Sequence, residues 1–256
     1  IFSPAHPVRG HQAVLCQVPH RQDHVAGLPA DHQSSAPAPA FGSHKKEHDK
    51  LTDPLRREAL QAYYASTTFM DAQIGRVLAA LKESGQEENT IVVLWSDHGY
   101  HLGEHDFWAK VSLRDESAMV PLIIKVPGRK PAVCRSLVEL LDLYPTTARL
   151  CGLDVPARLQ GKDISRMFDD PMHSVRDSGF SVAPSSKGFL LREDKWAYIQ
   201  YAEDASRGIE LYDMAADPKQ YTNLAGKPEF APVVESFKAK LAAKLRAARD
   251  NDLTGK

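Results

Sequence analysis

Between Ser96 and Lys110 the chain gathers most of its chemically useful side chains: Ser96-Asp97-His98-Gly99-Tyr100-His101-Leu102-Gly103-Glu104-His105-Asp106-Phe107-Trp108-Ala109-Lys110. Asp97 offers a hard carboxylate oxygen and His98 an imidazole nitrogen, side by side. Such a pair suits a divalent cation, and zinc, manganese and calcium all accept donors of this kind. Gly99 allows a sharp bend, and with Gly103 it lets backbone approach an ion or anion closely. Lys110 can set a point charge against an oxyanion. The bland alternative is that Asp97 is a turn former after a strand and that each histidine is a surface residue. The density of donors in one short stretch favours a site.

The cluster begins where a strand ends. Thr90-Ile91-Val92-Val93-Leu94-Trp95-Ser96 is an apolar, β-branched run, the pattern of a strand buried on both faces in a parallel sheet. In open α/β sheets ligands bind outside the carboxyl ends of strands, so the position is right for a site before any motif is considered. Upstream, Leu60, Tyr63, Thr67, Met70, Ile74, Val77 and Leu81 recur at steps of three and four. They predict a helix over about 54–84, with Asp53 as N-cap, Pro54 in the first turn and Gly85 at the end. Pro121-Leu122-Ile123-Ile124-Lys125-Val126-Pro127 predicts a second buried strand, and Leu137 to Leu150 a helix closed by Gly152. Gly188–Leu191 and Lys195–Tyr201 read as a hairpin turning at Glu193-Asp194, and Ile209–Asp213 as a further strand. A last amphipathic helix runs over about 232–249, its Lys and Arg forming a solvated face.

The first fifty residues differ. They hold seven of the eleven histidines and six of the seventeen prolines, and Ser34-Ser35-Ala36-Pro37-Ala38-Pro39-Ala40 is low in complexity. An irregular or disordered stretch is expected, with metal binding by its histidines as the less favoured alternative. The expected organisation is an irregular segment over 1–50, an α/β part over 51–165 and a small subdomain over 166–256. In 256 residues the formal net charge is −1, from 32 basic and 33 acidic side chains. No bias points to nucleic acid or an anionic membrane surface, and no apolar run is long enough to span a bilayer. Three cysteines are too few for a disulfide scaffold.

Taken together, Ser96-Asp97-His98-Gly99, Leu102-Gly103-Glu104-His105 and Trp108-x-Lys110 resemble the second signature block of the sulfatases, in the alkaline-phosphatase-like superfamily. Tyr63-Tyr64-Ala65-Ser66, Ile74-Gly75-Arg76, Val120-Pro121-Leu122-Ile123, Val126-Pro127-Gly128 and Glu210-Leu211-Tyr212-Asp213 resemble flanking parts of these enzymes, with the iduronate-2-sulfatases as the nearest group. The resemblance implies a partial α/β sandwich with a mainly parallel sheet, followed by a small antiparallel sheet and helix. It implies hydrolysis of a sulfate ester on a small molecule or glycan, using a divalent cation, usually calcium, and a formylglycine made from Cys or Ser. Carried over, Asp97 and His98 are metal ligands and Lys110 contacts the sulfate. His105 has a supporting role, and Tyr100 and Trp108 belong to the pocket wall. A phosphodiesterase or phosphonate hydrolase of the same superfamily is the alternative, and a non-catalytic remnant a further one.

The family's earlier block, with two further metal-binding Asp and the C-x-P-S-R or S-x-P-x-R nucleophile motif, is not found in these 256 residues. Cys16-Gln17-Val18-Pro19-His20-Arg21 has one residue too many between Cys and Pro and lies too close to Asp97 for the intervening elements, so it reads as coincidence. Cys134 and Cys151 read as small buried hydrophobes. Family character fades upstream of about residue 30, as a change of reading frame would produce in a carboxyl-terminal fragment; a divergent protein with a replaced amino-terminal region is the alternative. Exposed apolar edges, marginal stability and no turnover by the isolated chain are the resulting expectations.

Overall fold

The computed structural model describes residues 27–29, 33–184 and 187–250; Cys16 lies outside them. Helix α1 spans Asp53–Glu83, with Thr52 rather than Asp53 at its N-cap and Pro54 in the first turn. Gly85 follows it with a φ of 71°, the left-handed conformation that glycine adopts without penalty. Strand β1 is Val92–Trp95 and strand β2 Leu122–Lys125, with the short helix α2, Asp115–Ala118, between them. Helix α3 covers Leu143–Leu150, β3 Gly179–Ala183, β4 Gly188–Arg192, β5 Trp196–Tyr201 and β6 Ile209–Asp213. Helix α4 is Ala231–Arg249. The expected mixed α/β chain with a small antiparallel sheet and a closing helix is present.

The pairing of β1 with β2 departs from expectation. They form a two-stranded antiparallel sheet, with Leu94 opposite Ile123 and Trp95 opposite Leu122. The chain between them doubles back on itself instead of crossing over. Gly99 N–H donates to Ser117 C=O at 2.9 Å and His101 N–H to Ala109 C=O at 2.9 Å. A parallel pair needs a crossover connection; a folded-back loop delivers the second strand antiparallel. Nor is β1 buried on both faces, since Leu94 is 37% and Trp95 50% exposed.

The core lies instead around the C-terminal sheet, whose order is β3-β4-β5-β6, all antiparallel. On one face Leu191, Tyr198 and Leu211 pack against Val234, Phe237 and Leu241 of α4. The other face buries Leu190, Ala197, Ile199, Tyr201 and Tyr212 with Leu113 and Ala40. Alternation along β5 explains this two-sided burial: Ala197, Ile199 and Tyr201 point one way and Tyr198 the other. The low-complexity segment therefore joins the core. Its last residues enter a 3-10 turn, Ala38–Phe41, in which Ala40 is buried, and Ser35 C=O accepts from Asn223 Nδ2 at 2.8 Å.

Three local differences have plain causes. The helix expected over 137–150 begins at Leu143, after a 3-10 turn in which Glu139 and Asp142 cap each other's backbone N–H groups. Pro145 then falls in the first turn, where no N–H is needed. Strand β3 has no counterpart in the expectation; its alternation rests on Phe180 and Val182 alone, and it sits at a sheet edge. Cys134 and Cys151 are exposed, because the region that carries them packs on few neighbours. No helix among the described residues is long and apolar enough to cross a membrane.

Candidate active site

Residues 96–118 form one folded-back loop between β1 and β2. Its far turn is left-handed: Gly103 has φ 110°, His105 58° and Asp106 54°. Asp tolerates this conformation, and a buried His in it is a costly placement. Arg56 Nη2 on α1 donates to Asp106 Oδ1 at 2.7 Å, and Gln33 Nε2 to His105 C=O at 2.6 Å. The first half of α1 is thus the element that holds the turn, and Tyr63 adds a stacked contact with Tyr100, centroids 5.8 Å apart.

Asp97 and His98 sit at the end of β1. His98 Nδ1 lies 2.8 Å from the carbonyl of Gly99. A carbonyl accepts only, so in the neutral ring Nδ1 is the protonated nitrogen and Nε2 the one able to ligate. Nε2 is 3.6 Å from Asp97 Oδ2. The Asp97 side chain is 83% exposed, and its other oxygen accepts from His98 N–H at 3.1 Å. One carboxylate oxygen and one imidazole nitrogen, both accessible and oriented, fit a divalent cation as part of a shell. No set of three or more His, Cys, Asp or Glu completes it among the described residues.

The folded-back register brings Lys110 alongside Tyr100, since His101 bonds to Ala109 and Tyr100 Oη donates to Trp108 C=O at 3.0 Å. Lys110 is half-buried. Trp108 is buried, and its ring lies where a side chain on Gly103 would fall. His105 is buried, its ring 5.0 Å from that of Tyr221 and 5.8 Å from that of His101.

Beneath the loop lies a set of buried charges that sequence reasoning missed. Arg114 Nη2 donates to Glu210 Oε2 at 2.7 Å, Tyr201 Oη donates to Glu210 Oε1 at 2.7 Å, and Tyr212 Oη also donates to Glu210. Burial works against the charge on Arg114, but the Glu210 carboxylate keeps it protonated. Burial, with Glu210 beside them, pushes both tyrosines well above their usual range. Arg192 and Gln220 fasten the next residue, Asp115, by its carboxylate and its N–H. The one available signal was Glu210 itself, a charge on the same face of its strand as Tyr212. Nearby, burial and the Arg114 cation lower His101 to about 3. Burial, with Glu104 adding like charge, raises Glu116 to about 7.

With this geometry in place, comparison with known proteins places the fold first. Similar solved structures include a 2-O GAG sulfatase, with TM-score 0.76 and 25% identity over 90% of this chain and 54% of that one. Another is the phosphonate monoester hydrolase of Silicibacter pomeroyi, with TM-score 0.75 and 25% identity over 93% of this chain and 51% of that one. A third is a structure in complex with its substrate D-glucosamine-2-N,6-O-disulfate, with TM-score 0.67, 26% identity and 83% and 47% coverage. The class is the alkaline-phosphatase-like α/β fold. The family profile "Sulfatase" matches residues 6–153 and "N-sulphoglucosamine sulphohydrolase, C-terminal" matches 103–247. The chain belongs to the sulfatase family.

Among curated relatives, a sulfatase of Formosa agariphila is 38% identical over 186 residues, 72% of this chain and 36% of that protein. Arylsulfatase K of Bos taurus is 33% identical over 206 residues, 75% and 37%. An ulvan-active sulfatase of Formosa agariphila is 34% identical over 207 residues, 76% and 40%. The chain therefore spans less than half the length of these relatives. The first match begins at residue 6, inside the segment in which family character was expected to fade.

Proposed function

We propose that this chain supplies the carboxyl-terminal share of a sulfatase active site and takes part in hydrolysis of a sulfate ester. The observation that carries the reading is the Asp97–His98 pair at the end of β1, with His98 Nε2 oriented toward the carboxylate by the Gly99 carbonyl. Asp97 and His98 would hold the cation, calcium in this reading. Bound there, a divalent cation supplies charge stabilisation for sulfate oxygens and for the attacking oxygen. Lys110 places its ammonium on the sulfate or the departing oxygen. Tyr100 and Trp108 brace the loop that presents Lys110, and His105 supports it from below. The nucleophile, a formylglycine in this family, comes from a part of the active site outside these 256 residues.

For the substrate we infer a sulfated glycan. This rests on the ulvan-active relative and on the neighbour that binds a glucosamine disulfate. Hydrolysis of the iduronate-2-sulfatase kind is the narrowest form of the reading and rests on the signature motif. A phosphonate or phosphodiester substrate is the second reading, favoured by the likeness to the Silicibacter pomeroyi hydrolase. Calorimetric titration of the chain with calcium is the test. Weak binding that Asp97→Ala or His98→Ala abolishes is expected, with aryl sulfate hydrolysis by the isolated chain at background. Binding unchanged in both variants would overturn the site. Robust hydrolysis that Lys110→Ala removes would overturn the external nucleophile.

A further inference from the structure

Lys110 stands on the return arm of the loop, and among the described residues its ammonium has no hydrogen-bond or ion-pair partner. The backbone that carries it therefore decides where that charge stands. From Lys110 the chain enters a tight turn. Ser112 N–H donates to Lys110 C=O at 3.1 Å, Arg114 N–H donates to Ser112 Oγ at 3.0 Å, and Ser43 Oγ donates to Val111 C=O at 2.9 Å. Leu113 is buried in the same cluster as Tyr201 and Tyr212. The turn ends on Arg114, whose side chain is 3% exposed.

Arg114 is held from every side. The Phe41 ring covers its guanidinium, 5.1 Å from the ring centroid, and Glu210 of β6 accepts from Nη2 at 2.7 Å. Glu210 is fully buried and fixed on both oxygens, Tyr201 donating to Oε1 and Tyr212 to Oε2. Arg114 C=O accepts from Ala118 N–H at 2.8 Å as α2 begins. A charge pair shut away from water adds little net stability, because desolvation offsets most of the attraction. It does select one geometry, since any other leaves a buried charge unpaired. We propose that Arg114 is a positioning residue for Lys110. Its pair with Glu210 ties the return arm to the C-terminal sheet and, relayed through Ser112, sets where the ammonium meets an anion. The role of Lys110 rests on the sulfatase reading above; the tie does not. The C-terminal sheet thus shapes the site without reaching it.

The test is Arg114→Met combined with Glu210→Gln in the full chain. The two changes leave no unpaired charge and keep hydrogen-bonding groups for both tyrosines, so the urea midpoint should stay close to that of the unaltered chain while the tie is gone. Two readouts follow: hydrogen exchange of residues 110–114, and acetylation of Lys110 by N-hydroxysuccinimidyl acetate, located by mass spectrometry. Both should quicken by about tenfold, with the β5 amides unchanged. Ser112→Ala, which cuts the relay at a half-buried position, should do the same. Ser112→Thr, which keeps the hydroxyl, should not. Exchange and labelling at the original rates would overturn the proposal. So would an equal rise in β5, which would make the pair a general brace. If the double variant does not fold, the Ser112 variants decide, and Ser112→Ala behaving like Ser112→Thr overturns it. Neither readout needs turnover. If Lys110→Ala leaves the affinity for inorganic sulfate unchanged, the role given to Lys110 in the sulfatase reading fails and the tie stands. Unchanged labelling in the variants does the reverse.

Discussion

At Gly99 the loop has no room for a side chain: a β-carbon there would lie 2.0 Å from the Glu116 carbonyl oxygen. Gly99→Ala must push apart the two arms of the loop. It should cost about 1–3 kcal/mol in urea unfolding and abolish the calcium binding proposed for Asp97 and His98. Buried His101 and half-buried Glu116 set opposite pH responses. His101 folds with a lowered pKa of about 3, so its contribution to stability is complete above its unfolded value near 6.5 and is lost as pH falls toward 3. His101→Phe should shift the acid-unfolding midpoint to lower pH, followed by tryptophan fluorescence. Glu116 folds with a raised value of about 7, so its contribution is complete below about 4.5 and is lost as pH rises through 7. Glu116→Gln should flatten the decline in stability between pH 5 and pH 8 in urea melts. Asp97, His98 and Lys110 stand out in the sequence because donor types crowd one short stretch, and the structure sets Asp97 beside His98 at the end of β1. The burial of His101 and the partial burial of Glu116 could not be read there, since nothing in a local pattern tells which loop side chains distant residues will cover.

Elements were read well where periodicity decides and poorly where pairing does. The stripe from Leu60 to Leu81 gave α1 to within a residue, and the alternation in 196–201 and 209–213 gave β5 and β6. The direction of β2 relative to β1 depends on how residues 96–121 travel, and apolar composition holds no record of that. The link between loop and sheet also escaped, because Arg114 and Glu210 stand 96 positions apart. Removing one member of a buried ion pair strands the other charge and costs about 3–5 kcal/mol. Glu210→Leu should therefore lower the urea midpoint strongly, and adding Arg114→Met should restore most of the loss. Arg56→Ala, which frees Asp106 on the partly exposed side, should cost about 1 kcal/mol or less.

For the molecule as a whole, stability is concentrated at one end. Ala197, Tyr198, Ile199 and Leu211 are fully buried, whereas α1 beyond Phe69 has little cover. Hydrogen exchange should find β5 amides the slowest and those of residues 70–84 faster by orders of magnitude. Uniform protection along α1 would contradict this picture. The Arg114–Glu210 tie has one more outcome, concerning damage to α4. A stop codon just before Ala231 would spare every side chain proposed to touch cation or sulfate. It would still remove α4, expose the back of β5 and β6, and loosen the strand whose Glu210 anchors the guanidinium under the loop. Harmful changes in α4 should then behave like lesions of the proposed site.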